Sequence, residues 1–145
     1  MNITNTTPNA AGAMQPADTL SEMGVRLTIT PTDSGKCPPF CDGKHIHGDE
    51  HRCTFSRGGR SLRFSFWNSL NDARTGTPAD LQSVVNCVAM DGNCPQTFED
   101  FCAEYGYDED SRKAERTFRT CADFARRINA FFTAEELEKL AELDR

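Results

Sequence analysis

The stretch His51-Arg52-Cys53-Thr54-Phe55-Ser56-Arg57-Gly58-Gly59-Arg60-Ser61-Leu62-Arg63-Phe64-Ser65-Phe66-Trp67 decides the fold. Apolar and polar residues alternate on both sides of a Gly-Gly dipeptide. A period of two is strand spacing, and two glycines between such runs suit a tight two-residue turn. With Gly58 and Gly59 as the turn, Phe55 opposes Leu62, Cys53 opposes Phe64 and His51 opposes Phe66 on one face. Arg52, Thr54, Arg63 and Ser65 fall on the other. One face of the hairpin is therefore apolar, and the other basic and wet.

Working outward, Val25-Arg26-Leu27-Thr28-Ile29-Thr30 repeats the alternation and ends at Pro31. It supplies a third strand, so the N-terminal half reads as a small three-stranded antiparallel sheet with one face to cover. The C-terminal half carries helical signals. Thr77-Pro78-Ala79-Asp80 is a start signal, followed by Leu81, Val84, Val85 and Val88 at helical spacing. Thr97 with Asp100 opens a short helix through Phe98, Phe101 and Cys102 that stops near Gly106. Asp108 or Asp110 caps a long helix whose apolar residues run from Ala114 through Phe118, Cys121, Phe124, Ala125 and Ile128 to Phe131 and Phe132. Thr133 with Glu136 starts a last helix bearing Leu137, Leu140 and Leu143. The fold class is α+β: a small three-stranded sheet followed by three to four helices packed on one face.

The 145 residues suit one domain. Residues 1–22, rich in Asn, Thr, Ala, Gly and Pro, read as a disordered N-terminal arm, because ordering them buries little surface for a large entropy cost. Residues 23–145 read as a single domain with a Cys/His loop at 35–53, a hairpin at 51–67 and a helical part at 77–143. The start of the chain lacks a basic segment followed by an apolar run, and no run approaches the length of a membrane span, so the expected location is the cytosol.

The net charge of −6 opposes a generic polyanion binder. The charge is uneven. From Ala79 to Ser111 there is no Lys or Arg, and there are eight acids: Asp80, Asp91, Glu99, Asp100, Glu104, Asp108, Glu109 and Asp110. Such a field steers a basic partner surface. The candidate partner-binding residues are Glu99, Asp100, Glu104, Tyr105, Tyr107, Asp108, Glu109 and Asp110. The competing explanation is helix capping, since acids are favoured where free N–H groups and the helix dipole point at them.

All three histidines and three of the seven cysteines lie between Cys37 and Cys53. Cys37 and Cys41 form a C-x3-C pair around two prolines, and His45, His47 and His51 follow. Two thiolates and two imidazoles satisfy a tetrahedral zinc, which would hold together a loop with little core of its own. The candidate ligands are Cys37, Cys41, His45, His47 and His51, for one zinc ion. Cys53 alternates onto the apolar face and is expected to be a core residue. Pro39-Phe40-Cys41-Asp42-Gly43-Lys44-His45 resembles the end of the iron–sulfur motif of CDGSH-type proteins. Thr30 and Thr32 stand where that motif has its two upstream cysteines, so no [2Fe–2S] cluster is expected.

The segment from Phe98 to Phe118, together with Phe66-Trp67-Asn68-Ser69-Leu70-Asn71-Asp72-Ala73, resembles a group of small proteins encoded in bacteriophage and prophage genomes, over about residues 61–145. The resemblance implies an accessory protein in a bacterial host that binds and inhibits host machinery, a defence system included, in the manner of an anti-CRISPR protein. No nucleophile elbow, phosphate loop, dinucleotide fingerprint or zinc-protease motif is present, so the chain is read as non-enzymatic. A small metal-dependent hydrolase using Asp42, Asp49 or Glu50 is the enzymatic alternative. The alternative from another class is a zinc-stabilised nucleic-acid module using Arg52, Arg57, Arg60 and Arg63.

Overall fold

A computed structural model describes residues 3–4, 15–32, 47–69 and 80–143, with 3–4, 47–49 and 67–69 described through their backbone. The elements in order are β1 (Ile3–Thr4), α1 (Pro16–Glu22), β2 (Arg26–Pro31), β3 (His47–Arg57), β4 (Arg60–Ser69), α2 (Leu81–Asp91), α3 (Phe98–Tyr105), α4 (Arg112–Phe131) and α5 (Ala134–Glu142).

The hairpin forms in the expected register: Phe55 pairs with Leu62, Cys53 with Phe64 and His51 with Phe66. Gly58 takes φ +61°, where a side chain would be strained, so glycine is required at the first turn position. A register shift falls between His47 and Glu50. β2 adds antiparallel to β3, with Leu27 opposite Phe55 and Ile29 opposite Cys53. The two-residue β1 joins the outer edge of β2, giving the order β1-β2-β3-β4.

One apolar cluster joins the inner sheet face to four helices. Leu27, Ile29, Cys53, Phe55 and Leu62 from the sheet meet Leu20 of α1, Val84, Val85 and Val88 of α2, Ile128 and Phe131 of α4, Phe132 just after it, and Leu140 of α5. Phe55 sits among three rings, with centroids 6.0 Å from Phe64, 6.4 Å from Phe131 and 5.3 Å from Phe132. Cys53 is fully buried, as its place in the alternation requires.

The outer face of the sheet carries three cross-strand rows: Arg26–Ser56–Ser61, Thr28–Thr54–Arg63 and Thr30–Arg52–Ser65. β4 is an edge strand, and Arg127 of α4 donates to the main-chain carbonyl of Arg63 along that edge. A bonded cation on an edge strand discourages pairing with another chain.

Several sequence expectations need correction. The arm assigned to residues 1–22 contains β1 and α1, and Leu20 of α1 is fully buried in the core. The described residues form five helices, and one of them, α1, lies between β1 and β2 rather than after the sheet. α2 is capped by Asp80, whose carboxylate accepts from the Ser83 N–H at 2.9 Å, rather than by Thr77, which lies outside the described residues. α4 is capped by Ser111, whose hydroxyl accepts from the Ala114 N–H at 3.1 Å. Asp108 instead accepts from the Asp110 N–H and shapes the turn before the cap. The Thr97 cap of α3 and the Thr133–Glu136 capping box of α5 form as expected, and Gly106 ends α3 at φ +73°.

Candidate functional site

The basic and acidic candidates separate once each side chain is placed. Arg57 and Arg60 flank the turn, and alternation puts both on the core side of the hairpin. α4 ends there. The Arg57 guanidinium donates to the Phe131 carbonyl, and Arg60 donates to the Ala130 carbonyl. These are among the last carbonyls of α4, which have no partner within the helix and carry its negative dipole end. Arg57 also lies over the Phe131 and Phe132 rings, 5.1 and 5.9 Å from their centroids. It grips Glu136 with two nitrogens, at 2.5 and 3.2 Å. The same Glu136 closes the capping box of α5 by accepting from the Thr133 N–H at 2.9 Å. Arg57 therefore clamps the α4–α5 corner to the hairpin tip. Both arginines thus have a structural role at the end of α4.

This clamp has a measurable pH dependence. The Arg57 hydrogen bond holds the Glu136 carboxyl below its ordinary value, against a raising effect of burial. A carboxylate depressed on folding stabilises the protein above its unfolded pKa, roughly 4.3, and that contribution is lost as pH falls through the folded value. Arg57→Ala is expected to cost about 2 kcal/mol at pH 7, for the charged hydrogen bonds and the ring contacts. The gap between the two proteins should narrow as urea titrations move from pH 6 to pH 3.

Arg52 and Arg63 are exposed on the outer face, joined there by Arg26. Arg26 lies outside the hairpin that carries the other basic candidates. The signal lay in the alternation of β2, which places it on the same face as Arg52 and Arg63.

The acidic segment wraps α3 and its flanks. α3 packs on α4 through a satellite aromatic cluster: Phe98 and Phe101 lie 5.8 and 5.3 Å from Phe118. Tyr105 and Tyr107 flank Phe101 at 4.9 and 5.6 Å, each leaving much of its surface in water. Glu99, Asp100, Glu104, Asp108, Glu109 and Asp110 are all exposed. Capping and dipole effects account for several acids of the run. Asp80 caps α2, Glu99 and Asp100 occupy the first turn of α3, Asp108 shapes a turn, and Asp110 precedes the cap of α4. Asp91, the last residue of α2, accepts a hydrogen bond from the Cys87 thiol, whereas Glu104 has neither a capping role nor a side-chain hydrogen bond among the described residues. It lies in the last turn of α3, where a negative charge opposes the dipole. Its neighbour Tyr105 is 57% exposed. The described large apolar side chains left in solvent are Met90, Tyr105 and Tyr107.

Among the candidate metal ligands, Cys37, Cys41 and His45 lie outside the described residues. His47 is placed through its backbone at the start of β3, and His51 is half-buried opposite Phe66 on the core side. Among the described residues, no group of three or more His, Cys, Asp or Glu side chains is placed to hold a metal ion. Desolvation pushes all five described thiols up, Cys53 to about 12 and Cys121 to about 11. At neutral pH these cysteines are protonated, the opposite of the depressed pKa that activates a nucleophilic thiol. Among the described residues, no helix is long and apolar enough to cross a membrane. No protein-family model, curated protein or solved structure matches the chain.

Proposed function

We propose that this protein acts by binding another protein, without catalysis, through the acidic tyrosine-bearing shoulder formed by α3 and the turn before α4. The observation that carries this reading is the Glu104–Tyr105 pair. An acid stands at the unfavourable end of a helix beside a tyrosine that packs one side on Phe101 and leaves more than half of its surface in water. Tyrosines are favoured anchors at protein interfaces, and grouped acids direct encounter with a basic partner surface. The target is thus a protein with a basic face. Within the setting implied by resemblance to phage-encoded proteins, the target is a host protein in the bacterial cytoplasm, a nucleic-acid-handling component of a defence system being the most specific version.

The test combines capture with surface variants. Tagged protein is used to draw its partner from bacterial lysate treated with nuclease, and the captured protein is then purified for titration. A stoichiometric protein band that survives nuclease, bound at least about tenfold more weakly by Glu104→Lys/Tyr105→Ala, is the expected result; tenfold corresponds to about 1.4 kcal/mol. Tyr105→Ala gives up the ring contact with Phe101, so a melting curve is taken for the double variant and binding is compared where it is fully folded; Tyr105→Phe with Glu104→Lys keeps that contact and should still weaken binding. Full-strength binding by the double variant would exclude this shoulder as the contact surface.

A further inference from the structure

The outer face of the sheet is a second charged surface, independent of the shoulder proposed above. Arg26, Arg52 and Arg63 are exposed on three adjacent strands, and every other position in their three rows is Ser or Thr. No described acid pairs with any of the three arginines. Glu50, the acid that follows this face along β3, accepts from the Thr32 hydroxyl at 2.8 Å. From ordinary sheet spacings, the Cα atoms of Arg52 and Arg63 lie about 8 Å apart, and those of Arg26 and Arg63 about 12 Å. Arg127 adds a fourth guanidinium along the β4 edge, held there by the Arg63 carbonyl. This basic field belongs to a chain of net charge −6, whose grouped acids sit on α3 and its flanks. α3 is separated from the sheet by α4, a layer about 10 Å thick. That thickness matches the screening length of about 10 Å at 0.1 M salt, so the acids do little to cancel the field at the outer face.

We infer that this face seats the phosphate backbone of a nucleic-acid duplex. Guanidinium groups and hydroxyls are the side chains that bind phosphate oxygens, the arginines by charge and the hydroxyls by added hydrogen bonds. The three rows that carry the arginines hold no aromatic; Trp67 comes next along β4 on this face, by register opposite Glu50 and beyond Arg52. Binders of single strands combine a basic track with stacking platforms, so the chemistry of these three rows fits a duplex, which needs none. With no side chain long enough to read a base edge except the arginines that hold phosphate, binding is independent of sequence.

The experiment titrates the full chain into a fluorescently labelled duplex of 24 base pairs and mixed sequence, at 50 and 200 mM salt. Three phosphate contacts give a salt slope of about −2.7, or roughly 40-fold weaker binding over that range. Arg63→Ser should lower the slope by about one unit. Arg26→Ser/Arg52→Ser/Arg63→Ser should abolish most of the salt-dependent binding. All three positions are exposed, and a melting curve for each variant verifies the fold. Arg112→Ser/Arg116→Ser on α4 should bind as the wild type does. The inference is overturned if the wild type does not bind, or if the triple variant binds with an unchanged slope. It is equally overturned if a single strand of the same length binds more tightly than the duplex, or if poly-glutamate at equal charge displaces the duplex.

Discussion

Phe55→Ala is expected to lower the free energy of unfolding by about 3–5 kcal/mol, the largest loss expected from a truncation among the described residues. Phe55 is fully buried at the centre of the inner sheet face, with Leu27 and Leu62 as its cross-strand neighbours. Its ring meets Phe132 edge-on and lies beside Phe64 and Phe131. Removing it deletes aromatic contacts and leaves a cavity. The sheet backbone cannot collapse into that cavity without breaking register, which places the cost high in the usual range. Domains of this size are stable by roughly 5–15 kcal/mol, so the variant should be partly unfolded at moderate urea and lose much of its cooperative transition. Phe64→Ala is the internal comparison. Phe64 is half-buried, and its variant should lose distinctly less. Equal urea midpoints for wild type and Phe55→Ala would mean that the inner face is not the core.

The second large effect is Leu20→Ala, expected to cost about 2–4 kcal/mol. This residue lies in the segment that composition assigns to a disordered arm. In the structure, Leu20 is fully buried against the cluster that spans α2, α5 and β2. The chain after it is tied back, since Val25 N–H donates to the Leu20 carbonyl at 2.9 Å. An alanine in a true arm would change stability by no more than about 0.5 kcal/mol. Urea unfolding therefore separates the two descriptions cleanly, and a change inside that limit would return residues 16–22 to the arm.

α1 was illegible for a physical reason. It has seven residues, begins at a proline after Gln15 and has no side-chain cap. Leu20 is its single large apolar residue. A helix that short does not hold in water alone, so its stability comes from the groove it fills. The hairpin was legible because its information is local. The two-residue period and the Gly-Gly turn determine register without reference to any other element. The same alternation puts Arg57 and Arg60 on the inner side of the hairpin tip, the side on which α4 ends. The cap of α4 was misplaced because Asp108, Asp110 and Ser111 are all competent caps within four positions. The choice among them depends on which start brings Ala114 onto the buried face.

The candidate surfaces divide in the same way. The acidic run was visible as composition, yet composition treats its eight acids alike. Only the helix ends show that Asp80 and Asp108 serve the backbone while Glu104 opposes its own helix dipole. By itself the sequence determined the α+β class, the strand register, the buried place of Cys53 and the charge asymmetry, because each follows from residue type and spacing over a few positions. The tertiary structure alone decided that α1 is core, that Arg57 and Arg60 hold the end of α4, and that the face shared by Arg26, Arg52 and Arg63 stays exposed. Arg57 meets Phe131 and Glu136 across more than seventy residues of chain. No periodicity reaches that far; such contacts are set by which apolar faces the helices and the sheet bury against each other.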